Sequence, residues 1–245
     1  MIPEDRLSKI LELTEAKRSV SVNELVSALY VSAATVRRDL TELSRRGLIV
    51  RSFGGAVALT GAGRSIQKIN PNNKNPYAKL GAAAAELIPE RATVFLAGCA
   101  AVNAMMPALM NKSKLTVLTD STEIAEALCS TVEHMTITGG KYNPSLNIFT
   151  GKQAAEHIER IHLDFAFFAF DGLTEKGMFT DYSMDKLSSY TAAMRRAANR
   201  VVLCPRDCIG RQASYDLFKL SEMHTVVTDA AGRFAGNAKL TVIEA

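Results

Sequence analysis

A chain of 245 residues with 47% apolar and 22% charged residues is long enough for one or two domains with real hydrophobic cores and lies far from the composition of disordered chains. Its apolar run at 165–170 is six residues, against the about 20 that a membrane helix needs, so a bilayer-spanning helix is excluded. The start, Met1-Ile2-Pro3-Glu4-Asp5-Arg6, carries acids where a secretory signal carries bases, and Cys99, Cys129, Cys204 and Cys208 show no CxxC pair and no His at zinc spacing; a cytoplasmic chain with reduced thiols and no metal or other cofactor is expected.

The net charge of +4 is unevenly placed: residues 1–76 carry +5 and residues 77–245 carry −1. That is the distribution of a polyanion-binding front end joined to an ordinary globular body. In chain order, Leu7, Ile10, Leu11 and Leu13 recur at helical spacing. Ser21 and Glu24 stand three apart just before Leu25, Val26 and Leu29, the capping box that opens a second helix. Ser32 is placed to cap a third helix over 32–46, stopped by Gly47. Residues 48–51 and 56–59 are strand-like, with Ser52-Phe53-Gly54-Gly55 as the turn between them. Three helices and a hairpin make a winged helix-turn-helix domain over 1–58.

Residues 59–76, rich in Asn, Pro and Gly, read as a linker. Over 77–245, strands at 93–97, 115–119, 135–138, 164–170, 200–203, 225–228 and 240–243 alternate with amphipathic stretches at 81–88, 102–110, 124–128, 154–161 and 185–199. Such alternation implies an α/β domain with a mainly parallel, Rossmann-like sheet covered on both faces.

On a helical wheel the third helix puts Val36, Leu40 and Leu43 on one stripe and Ala34, Arg38, Thr41 and Arg45 opposite it, flanked by Thr35 and Arg37. Guanidiniums, hydroxyls and a small Ala suit a major groove, where an Arg donates twice to guanine and helix N-termini grip phosphate. Asp39, beside the stripe, is expected to orient an Arg within the protein. The candidate DNA contacts are Ser21, Ser32, Thr35, Arg37, Arg38, Thr41, Arg45 and, on the wing, Arg51. Taken alone, an arginine cluster on a helix is more often a solvated face.

The wider pattern reverses that. Arg6-x-x-x-Ile10-x-x-Leu13, then Ser32-Ala33-Ala34-Thr35-Val36-Arg37-Arg38-Asp39-Leu40, Gly47-Leu48 and Gly54-Gly55-Ala56, together resemble the DeoR family of bacterial transcriptional regulators. Phe53 stands where members commonly have His, which affects only the wing tip. The resemblance implies double-stranded DNA as partner, a repressor more than an activator, and a homo-dimer or tetramer on paired half-sites, assembled through the large domain.

It extends over the large domain, where the resemblance implies a sugar-phosphate-isomerase-like fold binding a small effector, a sugar phosphate or related metabolite, at the carboxyl ends of the strands. Thr119-Asp120-Ser121 is similar to the family's T-N-S, Gly139-Gly140 to its paired glycines, Gly151 to its isolated glycine, and Thr228-Asp229 to its late T-D. Asp171-Gly172 and Gly177 fall in the family's order. Three landmarks depart: the D-x-G-[ST]-T loop reads Ala97-Gly98-Cys99-Ala100-Ala101, the S-K-F segment reads Asp207-Cys208-Ile209, and the K-R pair reads Thr191-Ala192 before Ala193-Met194. A pocket for a different or less anionic ligand, or a vestigial one, is therefore expected. The candidate effector residues are Gly98, Asp120, Ser121, Gly139, Gly140, Lys141, Asp171, Arg206 and Arg211; Lys141, Arg206 and Arg211 are the cations able to replace the lost charge.

His134, His157, His162 and His224 match no catalytic or ligand motif, so no enzyme is expected. Asp120, Asp171 and Asp207 keep an isomerase-like activity open as an alternative, and a large domain that only oligomerises is another.

Overall fold

The computed structural model describes residues 3–17, 19–45, 49–52, 55–58, 75–230, 232 and 241–244. The chain forms two compact units, Met1–Lys68 and Ile69–Ala245. In the first unit, helices α1 (Pro3–Lys17), α2 (Val22–Leu29) and α3 (Ala33–Arg45) accompany strands β1 (Ser19–Ser21), β2 (Ile49–Ser52) and β3 (Gly55–Ala58). The stripe of α3 faces inward as its spacing requires: Val36, Leu40 and Leu43 are buried with Leu7 and Ile10 of α1 and Leu25 and Leu29 of α2. The strands form one antiparallel sheet in the order β1-β3-β2. Strand β1 is a correction to the sequence reading, which had only the hairpin. Its three residues, Ser19-Val20-Ser21, are too few to show alternation. They pair because Gly55 has no side chain, since a Cβ there would run into the Val20 carbonyl oxygen. The expected stop at Gly47, the turn residues Phe53 and Gly54, and the linker over 59–74 lie outside the described residues.

The second unit runs α4 (Ala78–Glu86), β4 (Thr93–Leu96), α5 (Ala100–Asn103), α6 (Met106–Leu109), β5 (Thr116–Thr119), α7 (Thr122–Leu128), β6 (His134–Ile137), β7 (Lys141–Asn143), β8 (Ile148–Thr150), α8 (Lys152–Glu159), β9 (Leu163–Phe168), β10 (Gly172–Leu173), β11 (Met178–Asp181), α9 (Leu187–Arg196), β12 (Ala197–Leu203), β13 (Tyr215–Lys219), β14 (Thr225–Thr228) and β15 (Thr241–Glu244). Seven strands make one parallel sheet in the order β15-β14-β12-β9-β4-β5-β6. The chain enters at β4, builds outward to β6, returns to β9 on the other side of β4, and builds outward again. The order therefore reverses between β4 and β9. Connections leaving these two strands diverge, which opens a crevice at their carboxyl ends, the position where doubly wound sheets hold ligands. An aromatic core fixes the strands below it: Phe168 and Tyr190 lie 5.4 Å apart between ring centroids, Phe170 and Phe179 5.0 Å, and Phe170 and Phe218 5.7 Å.

Several boundaries differ from those the periodicity predicts. The stretch 102–110 is not one helix but two single turns, α5 and α6, with Pro107 at the start of the second; proline has no N–H to continue the first. The stretch 185–199 splits into a 3-10 turn at Met184–Lys186, α9 and the first residues of β12. The hairpin β7–β8 and the antiparallel sheet β10-β11-β13 were not expected, because strands of two to five residues between glycines show too few alternations to read. No helix of the described residues is long and apolar enough to cross a membrane.

Candidate functional site

In the first unit, Ser21 caps α2: its hydroxyl accepts from the Glu24 amide at 3.2 Å and Glu24 Oε2 accepts from the Ser21 amide at 2.8 Å. These contacts and that to Lys17 hold the Glu24 carboxyl below its ordinary range. The turn to α3 passes through Tyr30, in the left-handed region (φ 54°, ψ 41°) and 93% exposed. Ser32 then caps α3, its Oγ accepting from the Thr35 amide at 3.2 Å. Opposite the buried stripe, Ala34, Arg37, Arg38 and Thr41 are exposed and Thr35 is half-buried. Thr41 donates to the Arg37 carbonyl at 2.8 Å, whereas the Arg37 and Arg38 guanidiniums hold no ion pair among the described residues. The backbones of Arg45 and Arg51 end α3 and lie in β2; their side chains lie outside the described residues.

Asp39 takes the part its position implies. It is 7% exposed and accepts from Arg6 Nε at 2.5 Å and Nη2 at 3.0 Å, a two-bond clamp between α3 and α1 that raises the Arg6 pKa through the hydrogen bond first and the opposite charge second. The helix that carries Arg37 and Arg38 is thus seated on apolar contacts along one edge and an ion pair along another. Tyr30 was not among the expected site residues; an aromatic in the turn before the third helix gives no periodic signal.

In the second unit, the crevice brings four of the nine expected effector residues together. The Gly98 amide donates to Asp120 Oδ1 at 2.6 Å, and a Cβ at Gly98 would meet the Ile148 side chain and Ser121 Cβ. Ser121 caps α7. Asp171 follows β9 and accepts from the Tyr182 amide at 3.2 Å. Gly139 and Gly140 follow β6 with φ of 68° and 104°, Gly140 packs against the Thr150 carbonyl and Ala154, and Lys141 is exposed at the start of β7. Arg206 and Arg211 follow β12, where the Arg211 carbonyl packs against Gly172, next to Asp171, and both side chains are engaged. The Arg206 amide and Nη2 donate to Asp229 at 2.6 and 2.8 Å, while Arg211 lies 3.6 Å from Asp207.

What the sequence reading missed is the floor of this crevice. Lys186, 1% exposed, donates to Asp181 Oδ2 at 2.8 Å. Burial, the largest influence on this amine, lowers its pKa, but the Asp181 and Asp171 carboxylates outweigh it and the net shift is upward. Lys186 stays an ammonium. Asp120 is fully buried; burial pushes its carboxyl up to about 7 against the pull of the Gly98 amide and Lys186. Burial likewise pushes the Cys99 thiol up to about 12, so this cysteine is an inert neighbour. A signal was available: Lys186, Tyr190 and Ala193 lie three and four residues apart, which puts a lysine on the apolar stripe of α9. Among the described residues no group of His, Cys, Asp and Glu is arranged to hold a metal.

The chain was compared with known proteins. The family described as the DeoR-like helix-turn-helix domain matches residues 6–61, and that described as the DeoR C terminal sensor domain matches residues 72–230. The HTH-type transcriptional regulator GlpR of Haloferax volcanii is 30% identical over 232 residues, covering 94% of this chain and 91% of the relative. The glycerol-3-phosphate regulon repressor of Escherichia coli is 25% identical, covering 92% and 90%. The HTH-type transcriptional repressor GlcR of Bacillus subtilis is 28% identical, covering 94% and 89%. Among solved structures, ribose 5-phosphate isomerase A of Methanocaldococcus jannaschii matches with a TM-score of 0.42 at 12% identity, covering 56% of this chain and 55% of that one.

Proposed function

This chain belongs to the DeoR family of DNA-binding transcriptional regulators, and on that premise we propose that it represses carbohydrate-related genes, with a small effector in the second unit controlling its hold on the operator. The observation that carries the DNA reading is the outer face of α3: Ala34, Arg38 and Thr41 are exposed opposite Val36, Leu40 and Leu43, with exposed Arg37 flanking them. A helix whose small and cationic residues face out, beside a β2–β3 wing, fits a major groove with the wing on the adjacent backbone. Ser32 and Thr35 at its N-terminus, with Ser21 at the start of α2, lie where helix amides meet phosphate, and Arg45 and Arg51 add charge at the far end and on the wing.

The carbohydrate reading is supported by relatives whose names include a glycerol-3-phosphate regulon repressor and a lactose phosphotransferase system repressor. A single α3 contacts too few bases for genomic selectivity, so the working species is a dimer or tetramer on paired half-sites. The second unit acts as a sensor and not as an isomerase. The test is footprinting of the full chain on DNA upstream of its own and neighbouring genes. Protection of a site with repeated halves is the expected result; protection lost with a combined Arg37→Ala and Arg38→Ala exchange locates the reader on α3. Uniform binding to every fragment would refute sequence reading, and isomerase turnover lost in Asp120→Asn would establish an enzyme.

A further inference from the structure

Three fully buried polar atoms in the crevice form no hydrogen bond with any described group: Asp120 Oδ2, Ser189 Oγ and Tyr190 Oη. An orphaned polar group inside a protein costs about 1–3 kcal/mol and calls for a reason. Tyr190 and Asp120 are neighbours, and Ser189 stands beside Tyr190 on α9. Ser189 and Tyr190 lie three and four residues beyond Lys186, on the helix face that carries the buried ammonium. The Tyr190 phenol is raised well above its ordinary pKa, chiefly by burial and then by Asp120, Cys99, Asp181 and Asp171, so all four lie within electrostatic reach of it. The ring itself is fixed by Phe95, Phe168 and Phe170. The phenol is thus held by its ring in the neighbourhood of Asp120, and neither its hydroxyl nor Asp120 Oδ2 has a partner among the described residues.

The charge around this place decides what it can hold. Asp171 and Asp181 face the buried cation Lys186, already bonded to Asp181 at 2.8 Å, and Asp120, its carboxyl raised to about 7, stands beside them. The first loop lacks the side chains that hold a phosphate. The loop at 97–101 offers no side-chain hydroxyl and no acid or base, α5 behind it has only four residues, and Arg211 lies 3.6 Å from Asp207. Hydroxyl groups fit instead, because each both donates and accepts: one can donate to Asp120 Oδ2 while accepting from Ser189 or Tyr190. We propose that Asp120, Ser189 and Tyr190 bind the hydroxyl groups of an unphosphorylated sugar or polyol, and that the effector of this chain carries no phosphate. The inference rests on the sensor reading of the second unit and names the chemistry of its ligand.

The test is calorimetric titration of the full chain with a series of pentitols, hexitols and aldohexoses, each beside its own terminal phosphate ester, repeated with Tyr190→Phe. The expected result is a member that binds at least about tenfold more tightly than its ester, and about tenfold more weakly to Tyr190→Phe, the worth of one hydrogen bond. The Tyr190→Phe melting temperature of the ligand-free chain should rise above the parent value, since a buried hydroxyl without a partner is removed. Tighter binding of the phosphate esters overturns the inference and leaves the sensor reading standing. So does a polyol whose affinity is indifferent to Tyr190→Phe. Failure of every compound to bind, with operator affinity unmoved by all of them, overturns both.

Discussion

At the scale of single residues, the same side-chain types do opposite work according to burial. Arg37 and Arg38 are exposed and proposed to meet DNA, whereas Arg6 is spent on Asp39 inside the unit. Replacing Arg38 with Ala should cost roughly 1–3 kcal/mol at the operator and relax preference at one base pair, read by competition gel shifts. Asp39→Ala should instead lower the stability of the fold by about 1.5–3 kcal/mol, the worth of a charged hydrogen-bonded pair, read by urea denaturation.

Asp120 gives a pH signature. Its carboxyl ionises near 3.8 when unperturbed and is pushed up to about 7, chiefly by burial, in the folded chain. Between those values the folded form holds a proton that the unfolded form has released. Stability therefore falls as pH rises through the window and levels off above it. Half-buried Glu123, raised to about 7 by burial first, adds in the same sense. Asp120→Asn keeps an Oδ1 acceptor for the Gly98 amide and removes the charge. Its melting temperature should gain steadily on the parent's between about pH 4 and pH 8; a constant difference would contradict a buried, titrating Asp120. Breaking the ion pair beside it is harsher: Lys186→Met leaves buried carboxylates uncompensated and should cost about 3–5 kcal/mol.

At the scale of elements, the helices of the first unit were legible because each carries both a stripe and a start signal: Ser21 with Glu24 for α2, Ser32 for α3. The third strand of that unit was not, since β1 exists only through pairing with β3 across Gly55. Gly55→Ala should therefore detach β1 and destabilise the first unit by about 1–3 kcal/mol, as an inserted methyl does in a tight contact. Amide exchange should show it as protection lost at Val20. In the second unit, the long apolar strands were readable and the short antiparallel ones were not. Yet the short β11 and the 3-10 turn after it are what deliver Asp181 and Lys186 to the crevice. The landmarks Gly98, Asp120 and Asp171 could be picked out through the family resemblance; Lys186 matches no landmark of it and leaves only its spacing to Tyr190 as a signal until β11 closes over it.

At the scale of the whole molecule, the charge asymmetry and the exposed arginines predict DNA binding dominated by phosphate contacts. Two protomers making three or four contacts each should lose on the order of a thousandfold in affinity between about 50 and 200 mM salt. A flat dependence, measured by fluorescence anisotropy on an operator fragment, would count against the assembly proposed above.

Periodicity, caps and charge placement depend only on neighbours along the chain, which is why the sequence by itself determined the winged helix-turn-helix, the outward ridge of α3 and the alternation of the large unit. The pairing of β4 with β9, where the strand order reverses, and the meeting of Asp120, Asp181, Lys186 and Tyr190 join residues up to 71 positions apart. Burial raises the Asp120 carboxyl, neighbouring carboxylates keep Lys186 charged, and Asp120 Oδ2, Ser189 Oγ and Tyr190 Oη are left without partners among the described residues; these are properties of packing that no local pattern carries. The tertiary structure therefore decided the chemistry of the crevice.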